Sequence, residues 1–183
     1  MKLCIVPIIF VVTLLIAMVI CEPHTAFAKK GNSKSKHLIE LCCTWGNSLD
    51  DGVLTYSIDN GGSDLAKIVK LSFKAWKKAL DNAIQFKYVK DDEDYDSDIV
   101  IDFKKGKGKK VGKTATYFDS YGFIDQADIS ISKKSYGVTL DKETLEHVTK
   151  HEIGHALGLG HANFKDTLMS PNVDEIITKI STC

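Results

Sequence analysis

The chain has 183 residues, 44% of them hydrophobic, which is ample for one domain around a single core. Its 24 basic residues balance 24 acidic ones, and every basic residue is lysine. That balance gives no electrostatic case for nucleic acid or for a strongly acidic partner surface.

Met1-Lys2 leads into an apolar run from Leu3 to about Cys21, and Ala26-Phe27-Ala28 then places small residues where a signal peptidase reads. Residues 1–28 are therefore expected to be a signal peptide cleaved after Ala28. The product is a secreted or extracytoplasmic monomer with no stable membrane association after cleavage. The rival reading is an uncleaved anchor, since the run nears spanning length; Pro7 and Thr13 interrupt it. Residues 29–44 read as a flexible spacer, rich in lysine, glycine and serine up to Lys36.

Asn60-Gly61-Gly62-Ser63 turns the chain and caps a predicted helix from about Asp64 to Asp81. Leu65, Ile68, Val69, Ala75, Trp76 and Ala79 supply its apolar face. Ile84 to Val89 alternates like a half-buried strand. The acidic run Asp91–Asp98 reads as a solvated loop, with a calcium site as the sharper alternative, because alternate carboxylates suit a hard cation. Lys104–Lys110 is a basic, glycine-spaced loop; solvation is again the first reading, and attraction of acidic substrates the second. No aromatic residue interleaves these lysines, which speaks against nucleic acid. Lys113–Phe118 reads as a further strand. Asp141 is a good cap for a second helix, led in by Thr144, Leu145 and Val148.

That second helix carries the most specific signal in the chain. His151-Glu152-Ile153-Gly154-His155-Ala156-Leu157-Gly158-Leu159-Gly160-His161 reads H-E-x-x-H-x-x-G-x-x-H. Its five fixed residues should coincide by chance on the order of once in ten million positions. Residues four apart share a helix face, so His151 and His155 can grip one metal ion. Glu152 lies beside the first ligand and can hold the attacking water. Gly158 lets the backbone leave the helix through a positive φ, and His161 returns to supply a third nitrogen. Three protein ligands leave one zinc position open, as in catalytic rather than structural sites. His147, one turn earlier, reads as an ordinary helix histidine. Asn172 or Asp174 starts a short last helix to about Thr182.

The extended motif resembles that of the metzincin zinc peptidases, and Met169, eight residues beyond His161, stands at the spacing of their Met-turn. Within that group the chain is most similar to the matrixins, the matrix-metalloproteinase group. Val53–Ile58 resembles their first strand, Phe73-Lys74-Ala75-Trp76 their first helix, Ser97–Phe103 their third strand, and Ala127–Ile131 the strand before the zinc helix. The resemblance covers residues 45–183 as a catalytic domain. It implies an α+β, zincin-like fold: a twisted, mostly parallel five-stranded sheet, two long helices and a short C-terminal helix. It implies one catalytic zinc on His151, His155 and His161, with Glu152 as the base, and a protein or peptide substrate laid along the strand at 113–118. Leu157 and the residues after Met169 are expected to shape the pocket beyond the cut bond.

The departures are informative. Ala162 stands where matrixins usually have serine, and Met169-Ser170-Pro171 where they read Met-Tyr-Pro. Pro171 also rules out the helper tyrosine of astacins and serralysins. No histidine lies between His37 and His147, so a second, structural zinc is not expected. The chain has no arginine, hence no inhibitory Pro-Arg-Cys-Gly segment. Cys42, Cys43 and Cys183 remain after signal removal. Adjacent cysteines rarely bridge, so Cys183 is expected to pair with Cys42 or Cys43; three free thiols, or a cysteine thiolate on the zinc, are the alternatives. A catalytically weak scaffold that binds, and a hydrolase of cell-wall or surface polymers, are the other function classes.

Overall fold

The computed structural model describes residues 38–90, 97–106 and 108–171. The chain enters as a short strand, β1 (Ile39–Leu41), passes a single 3-10 turn at Asn47–Leu49, and then forms β2 (Val53–Asp59). Helix α1 (Ser63–Ala79) and β3 (Gln85–Tyr88) follow. Next come β4 (Ile99–Lys104), β5 (Gly112–Phe118) and β6 (Ile124–Ser132). Two short strands, β7 (Lys134–Ser135) and β8 (Val138–Thr139), precede helix α2 (Lys142–Ala156) and the last described strand, β9 (Leu159–Ala162).

Five strands make one mixed sheet in the order β3-β2-β4-β6-β5. β2 pairs in parallel with β3 and β4, and β4 in parallel with β6. The β2–α1–β3 crossover explains the first pairing, because parallel neighbours need a connection long enough to return the chain. β5 and β6 pair antiparallel, joined by a tight turn in which Asp119 Oδ1 accepts from the Tyr121 and Phe123 amides. β5 is thereby left at the sheet edge.

Period-two alternation decides which face is buried. Ile99, Ile101 and Phe103 of β4, and Ala127, Ile129 and Ile131 of β6, are all buried. Ile68, Val69 and Phe73 from α1, and Leu145, Val148, Ile153 and Ala156 from α2, join them in one core. Each large side chain so buried contributes about 1.5–3 kcal/mol. The α+β architecture with a five-stranded sheet and two helices agrees with the expectation. The anticipated last helix lies outside the described residues.

Three local expectations change. Helix α1 begins at Ser63 itself, with Gly62 at the cap position and no side-chain cap. The segment expected to be spacer is already strand at residues 39–41: β1 pairs antiparallel with β9, the Cys42 amide donates to the Gly158 carbonyl, and Leu38 and Asn163 exchange bonds. The lysine and glycine pattern stops at Lys36, and Leu38, Ile39 and Leu41 supply the apolar, β-capable residues that follow. The expected bridge from Cys183 to Cys42 or Cys43 is also corrected. The structure joins the Cys42 and Cys43 sulfurs to each other, across Cα atoms 3.8 Å apart. The strand pairing holds both cysteines beside Gly158, and Cys183 lies outside the described residues.

Of the acidic run, residues 91–96 are not described. Asp98 is committed internally, its Oδ2 accepting from both the amide and the hydroxyl of Thr55 at 2.6 Å.

Candidate metal centre

Helix α2 is built from its cap upward. Asp141 Oδ1 accepts the Thr144 amide at 2.7 Å, and that bond holds the carboxyl below the usual aspartate range. Asp141→Ala should cost about 1 kcal/mol of stability, read as a lower urea midpoint at unchanged m-value.

The helix stops where the motif requires. Gly158 has φ +89°, and a Cβ there would land on the Cys43 carbonyl oxygen. Glycine is thus demanded both by the left-handed turn and by the close approach of the entry segment. The chain then returns as β9, which carries His161.

The histidine nitrogens converge. Ligand-capable atoms of His151, His155 and His161 lie within 4.8 Å of one another, and the Nε2 atoms of His151 and His155 are 3.0 Å apart. His151 Nδ1 faces the Leu168 carbonyl and His155 Nδ1 faces the Leu159 carbonyl, each at 2.7 Å. Carbonyls only accept, so both Nδ1 atoms carry the proton and both Nε2 atoms present bare lone pairs. Two lone pairs at this separation repel unless a cation lies between them. Tetrahedral zinc at about 2.0–2.1 Å from each nitrogen needs a nitrogen pair about 3.3 Å apart, so this donor set fits zinc. Burial lowers the His151 pKa to about 4, the Leu168 carbonyl opposing it, and burial also lowers His161. Neutral rings are the ligating form.

Met169 is buried beneath α2, against Gly154, and its carbonyl accepts the Ala162 amide at 2.7 Å. The segment that holds His151 through Leu168 is thereby tied to the strand bearing His161. Trp76 of α1 supports the same helix by donating Nε1–H to the Lys150 carbonyl at 2.8 Å.

Glu152 is buried beside the histidines. Its Oε2 accepts the Thr114 hydroxyl at 2.6 Å. Burial pushes its carboxyl pKa up; the Thr114 bond, His155 and Lys110 pull the other way. The carboxylate rests on β5 at Gly112, where a Cβ would come within 2.7 Å of its Cδ. Glu152 and the three histidines open on one cavity of about 570 Å³, bounded on the far side by Gly112, Thr114 and Thr116 of the edge strand.

A sequence model of the matrixin family matches residues 44–181. The chain belongs to the matrixins. Interstitial collagenase B of Mus musculus is 29% identical over 132 residues, covering 65% of this chain and 27% of that protein. Matrix metalloproteinase-B of Caenorhabditis elegans is 28% identical over 145 residues, covering 63% and 28%. The chain therefore spans under a third of the length of these curated relatives. A structure of myroilysin superposes with a TM-score of 0.45 at 19% identity, covering 68% of this chain and 55% of that one.

Against the matrixin expectations, the structure brings His151, Glu152, His155 and His161 to one cavity. His147 stands apart from the three-histidine group, half-buried on the helix. Leu157 is not among the described residues that line the cavity; at the end of α2 it is partly buried against the hydrophobic core. Pro171, just after Met169, does line it. Gly112 and Thr114 join the site without belonging to its motif. Their one signal in the sequence is a small residue and a hydroxyl at alternate positions of an edge strand.

Proposed function

We propose that this matrixin domain is an exported zinc-dependent endopeptidase, with His151, His155 and His161 as the zinc ligands and Glu152 as the base. The observation that carries this reading is the convergence of two bare histidine Nε2 atoms, a third histidine and a buried carboxylate on one cavity beside an open strand edge. When bound, zinc supplies the Lewis acid that activates water and polarises a carbonyl. The protein supplies the rest. Glu152 accepts the proton of the attacking water and hands it to the leaving amine. Burial raises its pKa, which favours uptake of that proton, while the Thr114 bond opposes the rise. β5 offers the backbone edge to which an extended peptide adds as a further strand, fixing the cut bond over Glu152.

The test is digestion of a randomised peptide library by the zinc-loaded protein, by chelated protein, and by chelated protein given zinc back. Cleavage that disappears and returns supports the reading; an intact library under all three conditions sinks it. The ligand set has its own test. His161→Ala should weaken zinc binding beyond about a hundredfold, since even the outer partners of ligands are worth ten- to a hundredfold. His147→Ala should leave it unchanged. Equal losses in competition titrations would reassign the ligands.

A further inference from the structure

We propose that Lys110 is an anion-binding group on the wall of the cleft that selects peptides carrying an acidic side chain on the C-terminal side of the cleaved bond. This names a substrate class for the peptidase reading above and rests on it.

Lys110 lines the cavity that holds the three histidines, and Glu152 is the only acidic residue among the described residues that line it. Lys110 is exposed and has no hydrogen bond or ion pair among the described residues. The backbone beneath it is pinned: the Gly108 and Val111 carbonyls accept the Tyr136 and Ser132 amides, and the Lys109 carbonyl accepts the Ser135 hydroxyl. A cation with no ion pair among the described residues, on a fixed backbone at the wall of a cavity, is placed to meet an incoming anion.

Position then sets which substrate residue it meets. Gly112 and Thr114 touch Glu152, so the cut bond lies at their level. Antiparallel addition is the more stable pairing, and it runs the peptide opposite to β5. The residues after the cut therefore travel toward Lys110. Lys110 precedes Gly112 by two residues, at most about 7 Å along the chain. It faces the second or third residue beyond the cut, well inside a Debye length.

The experiment uses one randomised peptide library in two arms. In the first, zinc-loaded full-length Glu152→Gln protein captures peptides, and mass spectrometry reads the composition of the bound fraction. Aspartate and glutamate should be enriched roughly three- to tenfold at low salt. The enrichment should collapse in about 1 M salt and disappear when Lys110→Ala is added. In the second arm wild-type protein digests the library, and sequencing the products places the acidic residue second or third after the cut. No acidic enrichment, enrichment that survives Lys110→Ala, or an acidic preference confined to the other side of the cut would each overturn the proposal. Capture without any digestion would overturn the peptidase reading instead, and the first arm would still decide the role of Lys110.

Discussion

Glu152→Gln should retain zinc and lose turnover by more than about a hundredfold, the low end for removal of a general base. The amide matches the carboxylate in size, and its carbonyl oxygen can still accept the Thr114 hydroxyl that Oε2 now accepts at 2.6 Å. It cannot take a proton at neutral pH. The loss therefore isolates proton transfer from packing. Metal analysis should give the same zinc content as wild type, and the melting temperature should hold or rise. A rise has a physical reason: the carboxylate is buried at an unfavourable site, which is why burial pushes its pKa up, and a neutral isostere removes that desolvation cost. Near-normal turnover in this variant would end the mechanism proposed here. Loss of zinc along with activity would instead show Glu152 holding the ligand geometry.

How much of this was legible in the sequence depends on the range of the contacts involved. The ligand pattern is local: helix periodicity aligns His151 with His155, and a single glycine with φ +89° redirects the chain toward His161. Local rules suffice there. Strand identity is also local, as Ile99, Ile101 and Phe103 show by burying alternate positions. What failed to show was pairing across long separations. β1 finds β9 more than a hundred residues later, and nothing in Leu38–Leu41 announces that partner. Leu157 reads equally well as pocket or core until the helix end is fixed in space. Adjacent bridges are rare in general, so the sequence points away from a Cys42–Cys43 bond, and the structure joins them. The contacts of Thr114 and Gly112 with Glu152 belong to the same class, since 38 residues separate Thr114 from its partner. Only the sheet order, which puts β5 at the edge over α2, brings them together.

That last contact supports the second large prediction, Gly112→Ala. A strand tolerates alanine, and Gly112 does not have the positive φ that would forbid a side chain. Backbone strain is therefore not the issue. The added methyl would instead stand on the Glu152 carboxylate, within 2.7 Å of Cδ and 2.8 Å of Cγ. Contacts that short are not tolerated, and the flexible partner gives way, so Glu152 should swing off its seat. A displacement on the order of 1 Å at a reacting group can cost a hundredfold. We expect kcat to fall about ten- to a hundredfold, with KM, zinc content and melting temperature near wild type. Thr114→Val tests the other half of the seat by removing the hydroxyl that anchors Oε2 while keeping the shape. It should lower kcat by a smaller factor, about tenfold, and Thr114→Ser should restore most of it. A structural role alone predicts otherwise: valine, the better strand former, would stabilise β5, and serine would not rescue. If Gly112→Ala turns over like wild type, the carboxylate has another productive position, and β5 does not set the base.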